Sequence, residues 1–230
     1  MPNWHDTVAP EGNPDNPHLG IRFDASGRFL PEAGVTVVCQ LIPGSPSEAA
    51  LLDLRGAMMA APWADHFAFT DVGSWHMTLF DGVIETARTS DRWAIGLPLD
   101  ADLDTIAGTL AARLDGFAPP PPFRMRVTEV TPFGLSLTGA TDGDEATARA
   151  WREALSAALG IRHPRHDTYG FHLTMAYVRA WVPREILPAL TAAMARHTDT
   201  LRARLPHLDL ARPAFCRFAD MNAFPPVRPL

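Results

Sequence analysis

Two stretches of this chain carry side chains that could do chemistry in the same order. Trp75-His76-Met77-Thr78-Leu79-Phe80 and Phe171-His172-Leu173-Thr174-Met175-Ala176-Tyr177 are both aromatic-His-aliphatic-Thr-aliphatic. In a β-strand alternate side chains share a face and each residue rises about 3.3 Å, so His and Thr two apart stand side by side, about 6.6 Å apart. The aliphatic residues between them point the other way, into a core. An imidazole can give or take a proton near neutrality, and a hydroxyl can donate a hydrogen bond to a phosphoryl oxygen. Two such pairs facing each other could hold one phosphate.

His-x-Thr alone carries little information, because the chain contains it four times. His5-Asp6-Thr7 and His166-Asp167-Thr168 have Asp in the middle and lie in polar, Pro- and Asp-rich segments. Only His76 and His172 have aliphatic residues at both alternate positions and an aromatic residue before the His.

The elements that must position these pairs are legible in outline. Residues 1–34 are rich in Pro, Gly, Asn and Asp and predict an irregular leader, with a small hairpin around Asp24-Ala25-Ser26-Gly27. Val35 to Leu41 is β-branched and apolar on both faces, which predicts a central strand. Ser45-Pro46-Ser47-Glu48 forms a capping box ahead of Leu51, Leu54 and Met58 at helical spacing. The first His/Thr strand follows over 74–80, then a helix from Asp100 to about Asp115 stopped by Gly116. The four prolines 119–122 predict a stiff extended spacer between two halves, about 35–118 and 123–230. A strand over 123–127, a partner over 133–137, a helix from about Asp144 to Leu159 closed by Gly160, a second His/Thr strand over 170–178, a helix containing Leu187, Leu190 and Met194, and one or two strands over 208–218 complete the order. The halves echo each other in element order.

Composition narrows the class. The chain has 230 residues, 47% hydrophobic and 20% charged, enough for one bilobal domain. It shows neither a signal-peptide pattern nor a long apolar run, so a cytoplasmic protein without membrane association is expected. Cys39 and Cys216 sit in apolar runs and read as buried free thiols. A net charge of -6 argues against coating extended nucleic acid. It leaves room for a small anionic ligand met by local donors. All 20 basic residues are Arg, which excludes a lysine nucleophile and a P-loop lysine.

The paired His-aliphatic-Thr-aliphatic motifs resemble the 2H (two-histidine) phosphoesterase superfamily, which includes 2'-5' RNA ligase-like proteins and cyclic nucleotide phosphodiesterases. The resemblance covers about residues 35–220, and the leader resembles a less characterised bacterial branch. It implies an α+β fold: a bilobal, pseudo-two-fold duplicate with antiparallel sheets, helices on their outer faces and a central cleft. It implies a metal-independent phosphoesterase, with no cofactor, acting on a 2',3'-cyclic phosphate or a related cyclic or 2'-5' phosphodiester of a nucleotide or RNA end. His76 and His172 would be the acid and base, and Thr78 and Thr174 would bind the phosphate. RNA ligase-like members often carry Pro before the second His and Arg three residues after its Thr, where this chain has Phe171 and Tyr177.

Two other readings use the same residues differently. A metal-dependent hydrolase would draw ligands from His163, His166, Asp167 and His172, although Pro164 forbids presenting them on a regular helix. A non-catalytic module would hold a phosphorylated nucleotide or RNA end in the same clamp. Five further residues are candidates for lining the substrate. Arg124 and Arg126 share a strand face and could contact a phosphate or simply face solvent. Tyr169 and Tyr177 flank the second motif and could stack on a base, with Tyr177 on the core-side parity of Leu173. Gln40 is polar in a buried strand and needs a partner. Asp220 and Asn222 acquire no role, and the oligomeric state is open.

Overall fold

A computed structural model describes residues 4–230. The strands β1 (Gly34–Gln40), β3 (His76–Ile84), β4 (Met125–Thr131), β5 (Gly134–Gly139), β6 (His172–Thr174), β8 (Ala214–Phe218) and β9 (Pro226–Pro229) form one open sheet in the order β4-β5-β6-β3-β1-β8-β9. Every neighbouring pair is antiparallel. The two halves of the chain therefore share a single sheet and meet in it twice, where β6 pairs with β3 and where β8 pairs with β1. A second, two-stranded sheet pairs β2 (Phe67–Phe69) with β7 (Ala176–Val178).

The helices are α1 (Trp4–Val8), α2 (Pro46–Met59), α3 (Leu103–Arg113), α4 (Asp142–Leu159) and α5 (Leu187–Arg204). Their starts follow the expected chemistry. Ser45 caps α2 by accepting from the Glu48 amide, with Pro46 at the first helical position, and Asp102 caps α3 through the Thr105 amide. Thr141 and Asp144 make a reciprocal capping box on α4, which ends at Gly160 in the left-handed conformation. The inward stripes Leu51/Leu54/Met58, Ile106/Leu110 and Ala148/Trp151/Leu155/Leu159 join Val35, Val37, Cys39, Met77, Leu79 and Leu173 in the main core. Strand alternation thus sends the aliphatic residues of both motifs under the helices and leaves His and Thr on the opposite face. A smaller apolar cluster on that opposite face contains Val38, Cys216, Phe218, Met221 and Phe224, with Tyr177 against it.

Strand β3 is longer than its partner requires. Its register against β1 slips twice, between Val35 and Val37 and between Val37 and Val38, so β3 carries extra residues around Leu79 and Asp81-Gly82. The bulges bury both Leu79 and Phe80 and turn Asp81 to the cavity side. Gly82 is required there, since a Cβ would stand 2.1 Å from the Val35 carbonyl oxygen.

Two expectations are corrected. The single strand over 170–178 is two strands in two sheets. The amides of Met175 and Ala176 both donate to the Phe133 carbonyl, and Met175 in turn accepts from the Thr70 amide, which turns the chain from one sheet to the other. The break shifts the alternation by one, burying Ala176 and moving Tyr177 off the Leu173 face. The leader, whose first three residues lie outside the described ones, opens with α1, whose Trp4 and Val8 are buried in the main core, and continues in turns and isolated bridges up to β1. Around Asp24 the expected turn is present, with Phe23 bridged to Phe29 and the Gly27 amide donating to the Asp24 carbonyl. No helix of the described residues is long and apolar enough to cross a membrane.

Candidate active site

The register between the two motif strands decides the geometry. Met77 of β3 pairs with Leu173 of β6. In an antiparallel pair this sets His76 across from Thr174 and Thr78 across from His172, all on one face. The two histidines sit on a diagonal, positions about 7–8 Å apart. The four side chains open into one cavity of about 300 Å³.

Each ring is oriented by its own backbone two residues back. His76 Nδ1 lies 2.6 Å from the Ser74 carbonyl oxygen, and His172 Nδ1 lies 2.9 Å from that of Gly170. A carbonyl can only accept, so Nδ1 carries the proton in both rings and Nε2 is the atom left to act on a ligand. His76 Nε2 is 3.2 Å from Thr78 Oγ1, which donates to it.

The environments of the two rings differ. Burial pushes the His76 pKa from 6.5 down to about 4, with the Ser74 carbonyl opposing and His172 assisting. The Phe224 ring lies against His76 at 4.1 Å between centroids. His172 is exposed, with Tyr169 beside it at 5.8 Å. His76 is therefore neutral at physiological pH.

The substrate-lining candidates separate. Tyr169 and Tyr177 both line the cavity. Tyr169 is held by the Arg152 guanidinium, 3.8 Å from its ring centre. Its buried hydroxyl lies near Thr78 without an aligned hydrogen bond to it. Tyr177 sits between the Arg22 guanidinium, 4.9 Å from its ring, and the leader residues Phe23 and Phe29. Burial raises the pKa of both phenols, so each is a neutral hydroxyl. Gln40 does not line the cavity; its amide donates to the Phe224 carbonyl at 2.8 Å and so holds the loop that covers His76. Arg124 lines a different cavity, beside the proline run, and Arg126 lines neither. Arg124 stands just ahead of β4, where its carbonyl still accepts from the Ala140 amide at 2.8 Å, and burial alternates from it through Met125, Arg126 and Val127.

Of the metal-hydrolase ligands, His163 donates to the Gly82 carbonyl at 2.9 Å and borders the same cavity as His172, while His166 is buried and donates to Glu153. Among the described residues Glu153, His166 and Asp167 hold their ligand atoms within 4.8 Å of one another. Arg162 already bridges the two carboxylates, at 3.0 and 2.5 Å. These groups form an ion-pair network that His163 and His172 do not join.

Sequence reasoning missed Arg152, which is 2% exposed, donates to the Leu79 carbonyl at 2.7 Å and stands 3.7 Å from Asp81. The signal was present, since 152 falls on the inward stripe of α4 between Ala148 and Leu155. The bulge that frees the Leu79 carbonyl has no such signature.

An antiparallel sheet that brings paired His/Thr strands to one cavity defines the class of protein. The family model described as 2H-phosphodiest, a domain of unknown function (DUF1868), matches residues 22–136, half of the chain, and the chain belongs to that family. The match includes the first motif and ends before the second. A crystal structure of a conserved protein of unknown function, ATU0111 from Agrobacterium tumefaciens str. C58, is similar at 40% identity with a TM-score of 0.96, covering 100% of this chain and 99% of that one. No curated protein matches the chain. Membership of the 2H phosphoesterase superfamily supports phosphoesterase chemistry in general.

Proposed function

We propose that the protein is a metal-independent phosphodiesterase that opens a 2',3'-cyclic phosphate, or a related cyclic or 2'-5' phosphodiester, of a nucleotide or RNA end. The observation that carries this reading is the Met77–Leu173 register, which sets two imidazoles with outward Nε2 atoms on a diagonal of one sheet face. A tetrahedral phosphate between them presents its attacking and leaving oxygens to opposite rings. His76, held neutral, is the base: its Nε2 takes a proton from water as the water oxygen bonds to phosphorus. His172, which enters the step with a second proton on Nε2, delivers that proton to the ribose oxygen as its bond to phosphorus breaks. Each transfer contributes on the order of 10²- to 10⁴-fold. Thr78 and Thr174 donate to the non-bridging oxygens, where charge is held through the transition state. The same reading treats the halves as related by a pseudo-two-fold with the cleft between them, supported by the echoing element order.

The test is hydrolysis of nucleoside 2',3'-cyclic phosphates and 2'-5' linked dinucleotides by wild type and a His76→Ala/His172→Ala variant, with and without EDTA. Turnover that survives EDTA and falls in the variant is expected. Full activity in the variant would sink the mechanism, and binding without product would reassign the clamp to a phosphate-binding module.

A further inference from the structure

The cavity continues past the histidines to an end bounded by Arg92, His163 and Arg165, which the reading above leaves unused. Arg92 ends the short turn Ser90–Arg92, and His163 and Arg165 belong to the loop after α4. His163 is fixed there by the Gly82 carbonyl. Gly82 packs against Val35 and Thr36 of β1, and four residues along β1 separate Thr36 from Gln40, the partner of His76. This end therefore lies roughly 13 Å from His76 along the strand. A substrate larger than one phosphate would bridge the two.

The charges that line it point to an anion at this end. Arg162, in the same loop, is neutralised by Glu153 and Asp167, whereas Arg92 and Arg165 make no salt bridge among the described residues. The acidic groups that face them are Asp81, already opposed by Arg152 at 3.7 Å, and the exposed Asp91 beside Arg92 and His163. In a chain of net charge -6 this is a local reversal of sign.

We propose that this end of the cavity is a second anion subsite, in which Arg92 and Arg165 bind a phosphoryl group of the substrate other than the one cleaved. The proposal rests on the phosphodiesterase reading for the first phosphate and deepens it. The substrate class becomes a nucleotide that carries a cyclic phosphodiester on its ribose and a further phosphoryl group on its 5' side. The apolar wall of Phe218, Met221 and Phe224 across the cavity is left to meet the base.

Binding is tested by calorimetry with adenosine 3',5'-bisphosphate and adenosine 3'-monophosphate, which resemble products with and without the second group. Wild type is expected to bind the bisphosphate about tenfold or more tightly, as a charge-assisted contact gives. The Arg92→Gln/Arg165→Gln variant should bind the two alike. Arg124→Gln/Arg126→Gln, which removes the same charge away from the cavity, should preserve it. Equal or undetectable binding of both ligands by wild type, or a preference that survives Arg92→Gln/Arg165→Gln, would overturn the subsite. Turnover of adenosine 2',3'-cyclic phosphate is measured in parallel. Its absence alongside an intact bisphosphate preference would defeat the phosphodiesterase reading and leave the subsite standing.

Discussion

Replacing Phe224 with Ala is the sharpest probe of the proposed base. The Phe224 ring covers His76 at 4.1 Å, and burial is the main reason that the imidazole titrates at about 4 instead of 6.5. At about 1.4 kcal/mol per pH unit, the folded protein resists protonating this ring by about 3 kcal/mol. The substitution admits water to one ring face while the rest of the burial and the His172 repulsion remain. We expect relief of about a third of that cost, which raises the midpoint to roughly 5. The readout is the nitrogen chemical shift of His76 in an NMR titration, together with the acid limb of kcat/KM, which reports the free enzyme. Both should move up together. A wild-type midpoint near 6.5, or a rate limb that stays fixed while the imidazole midpoint moves, would refute the assignment of His76 as base. Because Phe224 also packs in the smaller core, Phe224→Leu serves as a folded intermediate with a smaller displacement.

Three further outcomes follow from the same geometry. Stability should fall as pH drops from about 6.5 toward 4, because the unfolded chain protonates His76 before the folded one does; the contribution is complete above 6.5, and denaturant midpoints across that window measure it. Thr78→Ala and Thr174→Ala should each lower kcat by roughly 10²-fold with a smaller change in KM, in steady-state hydrolysis, since the hydroxyls are proposed to act most strongly on the transition state. Gly134→Ala should cost several kcal/mol in thermal unfolding, as a Cβ there would stand 2.0 Å from the Leu173 carbonyl oxygen at a φ of +149, and any folded fraction should lose activity through displacement of β6.

Local rules carried much of the fold. The capping residues Ser45, Asp102 and Thr141 and the stop at Gly160 are short-range chemistry; the helix after Ser45 begins where expected, and α3 and α4 begin and end within about three residues of expectation. The central strand was legible because Val35 to Cys39 offer no polar face. What failed is non-local. Alternation runs unbroken in type through Phe171, Leu173, Met175 and Tyr177, and only the carbonyls of Phe133 and Met175, far away in sequence or paired to Thr70, reveal where the strand divides. Arg124 and Arg126 alternate with buried Met125 and Val127 as a strand should, yet neither lines the His/Thr cavity, because β4 lies at the edge of the sheet two strands from β6. Gln40 was correctly marked as needing a partner, but that partner is a backbone carbonyl 184 residues away. For the candidate site, the two His/Thr pairs could be found by comparing each copy with its decoys. The bulges of β3, the buried Arg152 and the cover supplied by Phe224 depend on packing that no short window encodes.

The seam between β3 and β6 has a mechanical consequence. β1 pairs with β3 at six positions, whereas β6 meets β3 only at Met77 and Leu173. The sheet is thus narrowest in hydrogen bonds where the two motifs join. A ligand phosphate held by both would act as a rivet across that joint, so ligand affinity and sheet cohesion become linked quantities. Amide exchange at Met77 and Leu173 would register the rivet directly, slowing in proportion to occupancy.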